Sequence, residues 1–166
     1  MIYMEPNSIG WRPLVQSWLE TLPAWLDAAS KEHLNKLFQW AVQPCLDFVK
    51  TECKEFMPTS PQDLVNGLMN LISCQLSDIE KLAAGDETAQ VFVPVWLTTA
   101  FMFSMVWSLG AVVNFDGRTK LDSYMRKLFS SAIAESLPPD GLSIPKPFPA
   151  EGLIYDFVFE REVNHR

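Results

Sequence analysis

The sequence predicts a mainly α-helical fold, and three observations support this. Apolar residues recur at helical spacing in several segments, a helix-start motif lies at Ser60-Pro61, and an uncharged run occupies residues 91–115. Apolar side chains at positions i, i+3, i+4 and i+7 line one face of a helix. The chain has 166 residues, of which 48% are hydrophobic, so one domain with one buried core is expected.

The N-terminal residues predict a short strand and then a brief helix. Residues 1–4, MIYM, have strand character, and residues 5–8, EPNS, form a turn. Trp11-Arg12-Pro13 then leads into a short helical piece. A solitary strand needs partners, and the helical segments that follow supply none, which suggests that the chain belongs to a larger fold.

The first long amphipathic helix is expected from Ser30. Pro44 lies inside its pattern, removes one amide donor and directs its ring at the carbonyl of Trp40, so a kink is expected there. The apolar face of this helix comprises Leu34, Leu37, Phe38, Ala41, Val42, Cys45, Leu46 and Val49.

The second long helix has the clearest start. Ser60 is the expected N-cap, Pro61 suits the first helical position, and Asp63 follows three residues after the cap, near the positive helix end. A polar loop at 84–87 ends the helix. Its apolar stripe is formed by Leu64, Leu68, Leu71, Ile72, Leu76 and Ile79.

The uncharged run at 91–115 is either a membrane span or the central helix of a soluble bundle. As one helix of about 25 residues it would span roughly 38 Å, more than the hydrocarbon thickness of a bilayer. However, Pro94, Ser104, Gly110 and other small or polar residues dilute its apolarity, and amphipathic helices flank it. A helix that is apolar all round also suits the centre of a bundle, and we favour this interpretation.

The C-terminal third predicts a turn at 116–119, a fourth helix and a connector. Leu121, Tyr124, Met125, Leu128 and Ile133 share one face of the helix. Residues 137–152 are proline-rich and should be extended. The segment LIYDFVFE then alternates loosely and is expected to form a second isolated strand.

Composition excludes several classes of function. The net charge is -7 and no run of Lys or Arg is dense enough to neutralise several phosphates, so nucleic acid is not an expected partner. Cys45, Cys53 and Cys74 lack a C-x-x-C pairing and fall in apolar helical patterns, so they are expected to be buried and reduced, without a metal. The N-terminus lacks the features of a signal peptide.

Motifs for catalysis are absent from the sequence. It contains no phosphate loop, no acidic strand end before a helix that would hold magnesium, and no G-x-S-x-G elbow. His33 is expected on a polar helical face and His165 near the end, each as a solvated surface residue. Asp116 and Arg118 are either a functional charge pair or part of a capping turn.

Four blocks of the sequence, in this order, carry a family resemblance. They are MIYMEPNSIGWRPLVQSWLETLP, LFQWAVQPCLDFVK, FMFSMVWSLGAVVNFDGRTKLDSYMRKLF and GLIYDFVFE. Together they resemble the motor region of dynein heavy chains, most closely the axonemal, ciliary type, over nearly the whole chain.

The resemblance implies a position in a six-module AAA+ ring. Residues 1–28 would end the large subdomain of the second module, 29–137 would be its four-helix lid, and 138–166 would be a connector and the first strand of the third module. The expected fold is thus a mainly α AAA+ lid with short isolated strands at both ends, and the uncharged run is the central helix of the lid.

The resemblance also implies that this segment has a function in the motor but no catalytic activity of its own. The lid would couple nucleotide state to ring shape in an ATP-driven microtubule motor of the cytoplasm, cytoskeleton and cilium axoneme. ATP or ADP with magnesium would be cofactors of the full-length parent, and none of the segment. Expected partners are neighbouring AAA+ modules and, through the parent, intermediate chains, light chains and microtubules, but no membrane.

The site residues implied by the resemblance are close to the nucleotide. Arg118 in FDGRTK is the expected phosphate-facing residue, although Gly117 stands where the family sometimes has Ser. Trp107, Ser108 and Gly110 would line the same cleft edge, unless they only pack or end a helix. A free-standing helical adaptor that binds a protein partner is the alternative function.

Overall fold

The computed structural model describes residues 10–85, 87–142, 144–145 and 148–158 and shows a bundle of helices. The strand expected at 1–4 lies outside the described residues, as does His165. The helices in chain order are α1 (Arg12–Thr21), α2 (Ala28–Leu37), α3 (Gln43–Glu52), α4 (Pro61–Gly85), α5 (Val93–Leu109) and α6 (Phe115–Phe129).

The first long helix is continuous through a π turn. A π-helical stretch, Phe38–Val42, joins α2 to α3, and Pro44 then lies in the first turn of α3. A π turn accommodates a residue that lacks an amide donor because its hydrogen bonds skip one position. A π-helical stretch thus directly precedes Pro44, where the sequence predicted a kink.

The start of α4 is the predicted capping box. The backbone N–H of Asp63 donates to the Ser60 hydroxyl at 3.1 Å, and the N–H of Ser60 donates to the Asp63 carboxylate at 3.4 Å. These two bonds satisfy amides that the helix itself leaves unpaired. The helix runs to Gly85 and so includes the first part of the loop expected at 84–87, and a 3₁₀ stretch, Glu87–Phe92, leads into α5.

Helix α5 is the central element of the bundle. It packs against α4 and α2, and the side chains of Leu97, Phe101, Met102 and Met105 are fully buried. Residues Ala89–Leu109 are long and apolar enough to cross a membrane by length and composition, but 61% of this stretch is buried by protein. The uncharged run at 91–115 does not form one helix over its whole length. Gly110 ends α5, and Asn114 caps α6.

The turn expected at 116–119 is wrong in its position. Asn114 is the N-cap of α6, and its side-chain oxygen accepts a 2.9 Å hydrogen bond from the N–H of Gly117, so 116–119 lie within the first helical turns. The real turn comes earlier, where Glu55 and Val113 form an antiparallel bridge between the α3–α4 and α5–α6 loops.

The second isolated strand is also wrong within the described residues. Ile154–Asp156 form a 3₁₀ turn, in which the N–H of Leu153 donates to the Asp156 carboxylate at 2.8 Å. This local hydrogen bond competes with an extended conformation. The preceding proline-rich segment has no helix or strand where it is described, and the N–H of Leu142 donates to the carbonyl of Pro139 at 3.1 Å in a turn.

Two expectations about single residues need correction. His33 faces α5 rather than solvent, and its Nε2 lies 2.7 Å from the hydroxyl of Thr98. The same hydroxyl lies 2.9 Å from the carbonyl of Pro94, to which it can donate. Among the three free cysteines Cys45 is buried and Cys53 half-buried, but Cys74 is exposed, because it lies on the outer face of α4.

Candidate functional site

The candidate site lies between the end of α5 and the beginning of α6. Trp107 is in the last turn of α5, Gly110 is its C-cap, and Arg118 lies in the first turns of α6. The short connection through Asn114 brings the two helix ends together. Three of the four residues expected at a nucleotide thus lie in one region.

The side chain that links these residues is that of Tyr155, which was not predicted from the sequence. The guanidinium carbon of Arg118 is 5.6 Å from the centroid of the Tyr155 ring. The indole of Trp107 meets the same ring edge-on, with centroids 6.0 Å apart and an interplanar angle of 86°. Cation–π and T-shaped contacts of this geometry are attractive because the ring face is negative and its edge positive.

Gly110 provides the space for Tyr155. A Cβ atom built at Gly110 would lie 2.3 Å from the Tyr155 hydroxyl and 2.4 Å from the carbonyl of Val106. No side chain fits there without movement of the tyrosine and of the end of α5. The glycine is thus required for the close approach of the connector to the end of α5.

Ser108 faces away from the cluster that Trp107, Gly110, Arg118 and Tyr155 form. Its side chain is buried and donates a short hydrogen bond to the carbonyl of Leu64 on α4, next to Gly67. Residue 108 is therefore placed in the α4–α5 interface, whereas Trp107 lies on the connector side of α5.

Two buried polar atoms in the cluster have no hydrogen-bond partner among the described residues. They are Nε of Arg118 and the hydroxyl oxygen of Tyr155. Burial raises the pKa of Tyr155 above its ordinary value, and the positive charge of Arg118 partly opposes this. The phenol is therefore neutral at physiological pH, and the guanidinium is held by a ring rather than by an anion.

A clamp on α6, formed by Asp122 and Arg126, fixes the connector. The buried carboxylate of Asp122 accepts a 2.7 Å hydrogen bond from the N–H of Ile154 and a 3.0 Å bond from Nε of Arg126. The guanidinium of Arg126 also donates to the carbonyls of Pro149 and Gly152. Ile154 itself is buried, with 1% of its surface exposed.

The chemistry available here is binding and positioning. No group of His, Cys, Asp and Glu that could hold a metal ion is found among the described residues. The guanidinium of Arg118 fits a phosphate group by charge and donor geometry, but its present neighbour is the Tyr155 ring.

The comparisons with known proteins identify the family to which the chain belongs. The family model "Dynein heavy chain AAA lid domain" matches residues 34–166. The chain therefore belongs to the dynein heavy chain AAA lid family, which confirms both the predicted resemblance and the mainly α lid fold.

Individual relatives are axonemal dynein heavy chains. The chain is 37% identical to dynein axonemal heavy chain 3 of Homo sapiens over 99% of its own length and 4% of that protein. It is 34% identical to dynein axonemal heavy chain 12 of Mus musculus over 96% of its length and 5% of the relative. It is also 33% identical to dynein axonemal heavy chain 2 of Homo sapiens, over 99% of its length and 3% of the relative. The chain thus spans a small part of each of these relatives.

Proposed function

We propose that the chain is the lid of the second AAA+ module of an axonemal dynein heavy chain, where it couples nucleotide state to the shape of the ring. Residues 29–137 form the lid, 1–28 end the large subdomain before it, and 138–166 lead towards the third module. The similarity to axonemal heavy chains over nearly the whole chain supports the type of motor.

The observation that carries the coupling role is the clamp on α6. A lid transmits motion to the next module only if the chain that leaves it is attached to it. Asp122 and Arg126 hold the connector at Pro149, Gly152 and Ile154. While it is docked, the connector therefore moves with the lid as one body, because packed interiors deform little.

Arg118 is the residue of the lid that we propose to face the nucleotide phosphates. It lies at the beginning of α6, next to the end of α5, and its guanidinium is the cation of this cluster. When bound, ATP or ADP with magnesium would supply the free energy that changes the angle between the large subdomain and the lid. The residues of this chain would then orient the phosphate end and carry the movement to the connector.

The proposed setting of the chain follows from the same assignment. In the motor its partners are the adjoining AAA+ modules and, through the full-length heavy chain, intermediate chains, light chains and microtubules. Its proposed location is the cytoskeleton of the cilium axoneme, reached from the cytoplasm.

The experiment that tests the coupling role uses the full-length motor with Asp122→Ala. Loss of the clamp is expected to lower the velocity of microtubule gliding several-fold, because the connector no longer moves with the lid. The matched control is Asp78→Ala, which removes an exposed carboxylate of α4 and its surface ion pair with Lys81. An Asp122→Ala motor with the gliding velocity of the control would rule out the proposed role of the clamp.

A further inference from the structure

The Arg118 side chain does not use all of its hydrogen-bond donors among the described residues. Its guanidinium contacts the face of the Tyr155 ring, and its Nε is buried without an acceptor among the described residues. A ring face attracts a guanidinium more weakly than a charge-assisted hydrogen bond to a phosphate oxygen does. An anion that reached this guanidinium would therefore be preferred over the ring.

The Tyr155 ring belongs to the part of the connector that is docked on α6. On one side of it, the carbonyl of Gly152 accepts from Arg126 at 2.9 Å, and the adjoining N–H of Ile154 donates to Asp122. The ring packs edge-on against the indole of Trp107. It lies close to Gly110, where a side chain would clash with it. Separation of the 3₁₀ turn Ile154–Asp156 from α6 would withdraw the ring from Arg118.

We propose that Tyr155 is a built-in competitor for Arg118, so that the guanidinium binds a phosphate group only when the connector has released its tyrosine. The inference rests on the proposed function of Arg118 and adds its regulation. Binding of phosphate and docking of the connector are then mutually exclusive. The lid would detect nucleotide through the position of the segment that leads out of it.

The first experiment measures docking in the full 166-residue chain. The reporter is the exchange rate of the Ile154 amide hydrogen, followed by NMR. Tyr155→Leu is expected to accelerate this exchange by roughly tenfold or more, because the turn opens locally. Tyr155→Phe keeps the ring and should leave the rate within about twofold, since the hydroxyl has no partner among the described residues.

The second experiment measures competition in the same chain, with inorganic tripolyphosphate as the probe and the Nε–H signal of Arg118 as the readout. Tyr155→Leu is expected to bind the probe roughly three- to thirtyfold more tightly than the unsubstituted chain, which is the range of a cation–π contact. Arg126→Gln loosens the connector without altering Tyr155 and should shift the affinity in the same direction. Arg118→Gln combined with Tyr155→Leu should abolish the gain.

The outcomes separate this inference from the function on which it rests. Equal affinities in the unsubstituted chain and Tyr155→Leu would overturn the competition, and so would a gain that persists without Arg118. If Tyr155→Leu accelerates Ile154 exchange but binds no tripolyphosphate, Arg118 is not a phosphate site and the inference fails. The coupling role would survive that result, because it depends on Asp122 and Arg126 and is tested by gliding velocity.

Discussion

The N–H of Ile154 donates a 2.7 Å hydrogen bond to the carboxylate of Asp122, which lies 32 residues earlier in the chain. Both residues are buried, with 1% and 8% of their surfaces exposed, so water does not compete for this bond. Arg126 neutralises the same carboxylate at 3.0 Å. The pair fixes a connector of otherwise irregular structure to the last helix of the bundle.

Substitution of Asp122 is expected to undock the connector while the helices remain folded. Asp122→Ala leaves the N–H of Ile154 without its acceptor and Arg126 without its counter-charge, at a cost of about 1–3 kcal/mol. We expect the Ile154 amide to exchange roughly tenfold faster or more. Asp78→Ala, at an exposed ion pair, should change stability by less than about 0.5 kcal/mol. Unchanged exchange at Ile154 would contradict the account.

Gly110→Ala is expected to destabilise the chain through a steric clash. The added Cβ would lie 2.3 Å from the Tyr155 hydroxyl, so the tyrosine or the end of α5 must move, at about 1–3 kcal/mol. The matched control is Gly85→Ala, because a Cβ at Gly85 meets nothing within 4 Å. Urea unfolding of the two variants measures the difference, and equal midpoints would be inconsistent with close packing at Gly110.

Mild acid is expected to destabilise the bundle through His33. Burial lowers the pKa of His33 from its ordinary value of 6.5, so between the folded pKa and 6.5 the unfolded chain binds more protons. The free energy of unfolding should therefore fall as pH decreases from 6.5. His33→Gln should remove this part of the slope. The contribution of Asp27 falls in a separate pH range. Hydrogen bonds from Ser30 lower its pKa, so the stability that it contributes is lost only as the pH falls below 3.8.

The three cysteines are expected to react with a thiol reagent at different rates. Cys74 is exposed and should react at once, whereas burial raises the pKa of Cys53 and, more strongly, of Cys45. Cys45 should react only when the protein unfolds. Cys74→Ser should remove the fast phase of the reaction. Fast modification of Cys45 in the folded protein would contradict the burial of this thiol.

The helices could be predicted from the sequence because their signals are local. The capping box at Ser60 and Asp63 and the apolar periodicity of the long helices depend on residues a few positions apart, and the structure confirms them. His33 was misjudged because its partner, Thr98, is 65 residues away on a helix whose orientation the periodicity does not give.

The candidate site was only partly predictable. The resemblance indicated Trp107, Gly110 and Arg118, and the structure brings them together. Tyr155 was missed because the alternation of LIYDFVFE favours a strand, while the contact with Asp122 and the local hydrogen bond at Leu153 favour a 3₁₀ turn. No pattern within that segment encodes its attachment to α6.

The attachment of the connector to the lid is tested most directly by a distance between two spin labels. One label is placed on the exposed Cys74 of α4 and the other on Val158→Cys, at an exposed position after the 3₁₀ turn, in a chain that carries Cys53→Ser. We expect one narrow distance distribution that broadens when Asp122→Ala is added. A distribution that is already broad with Asp122 in place would show that the connector is not fixed to the bundle.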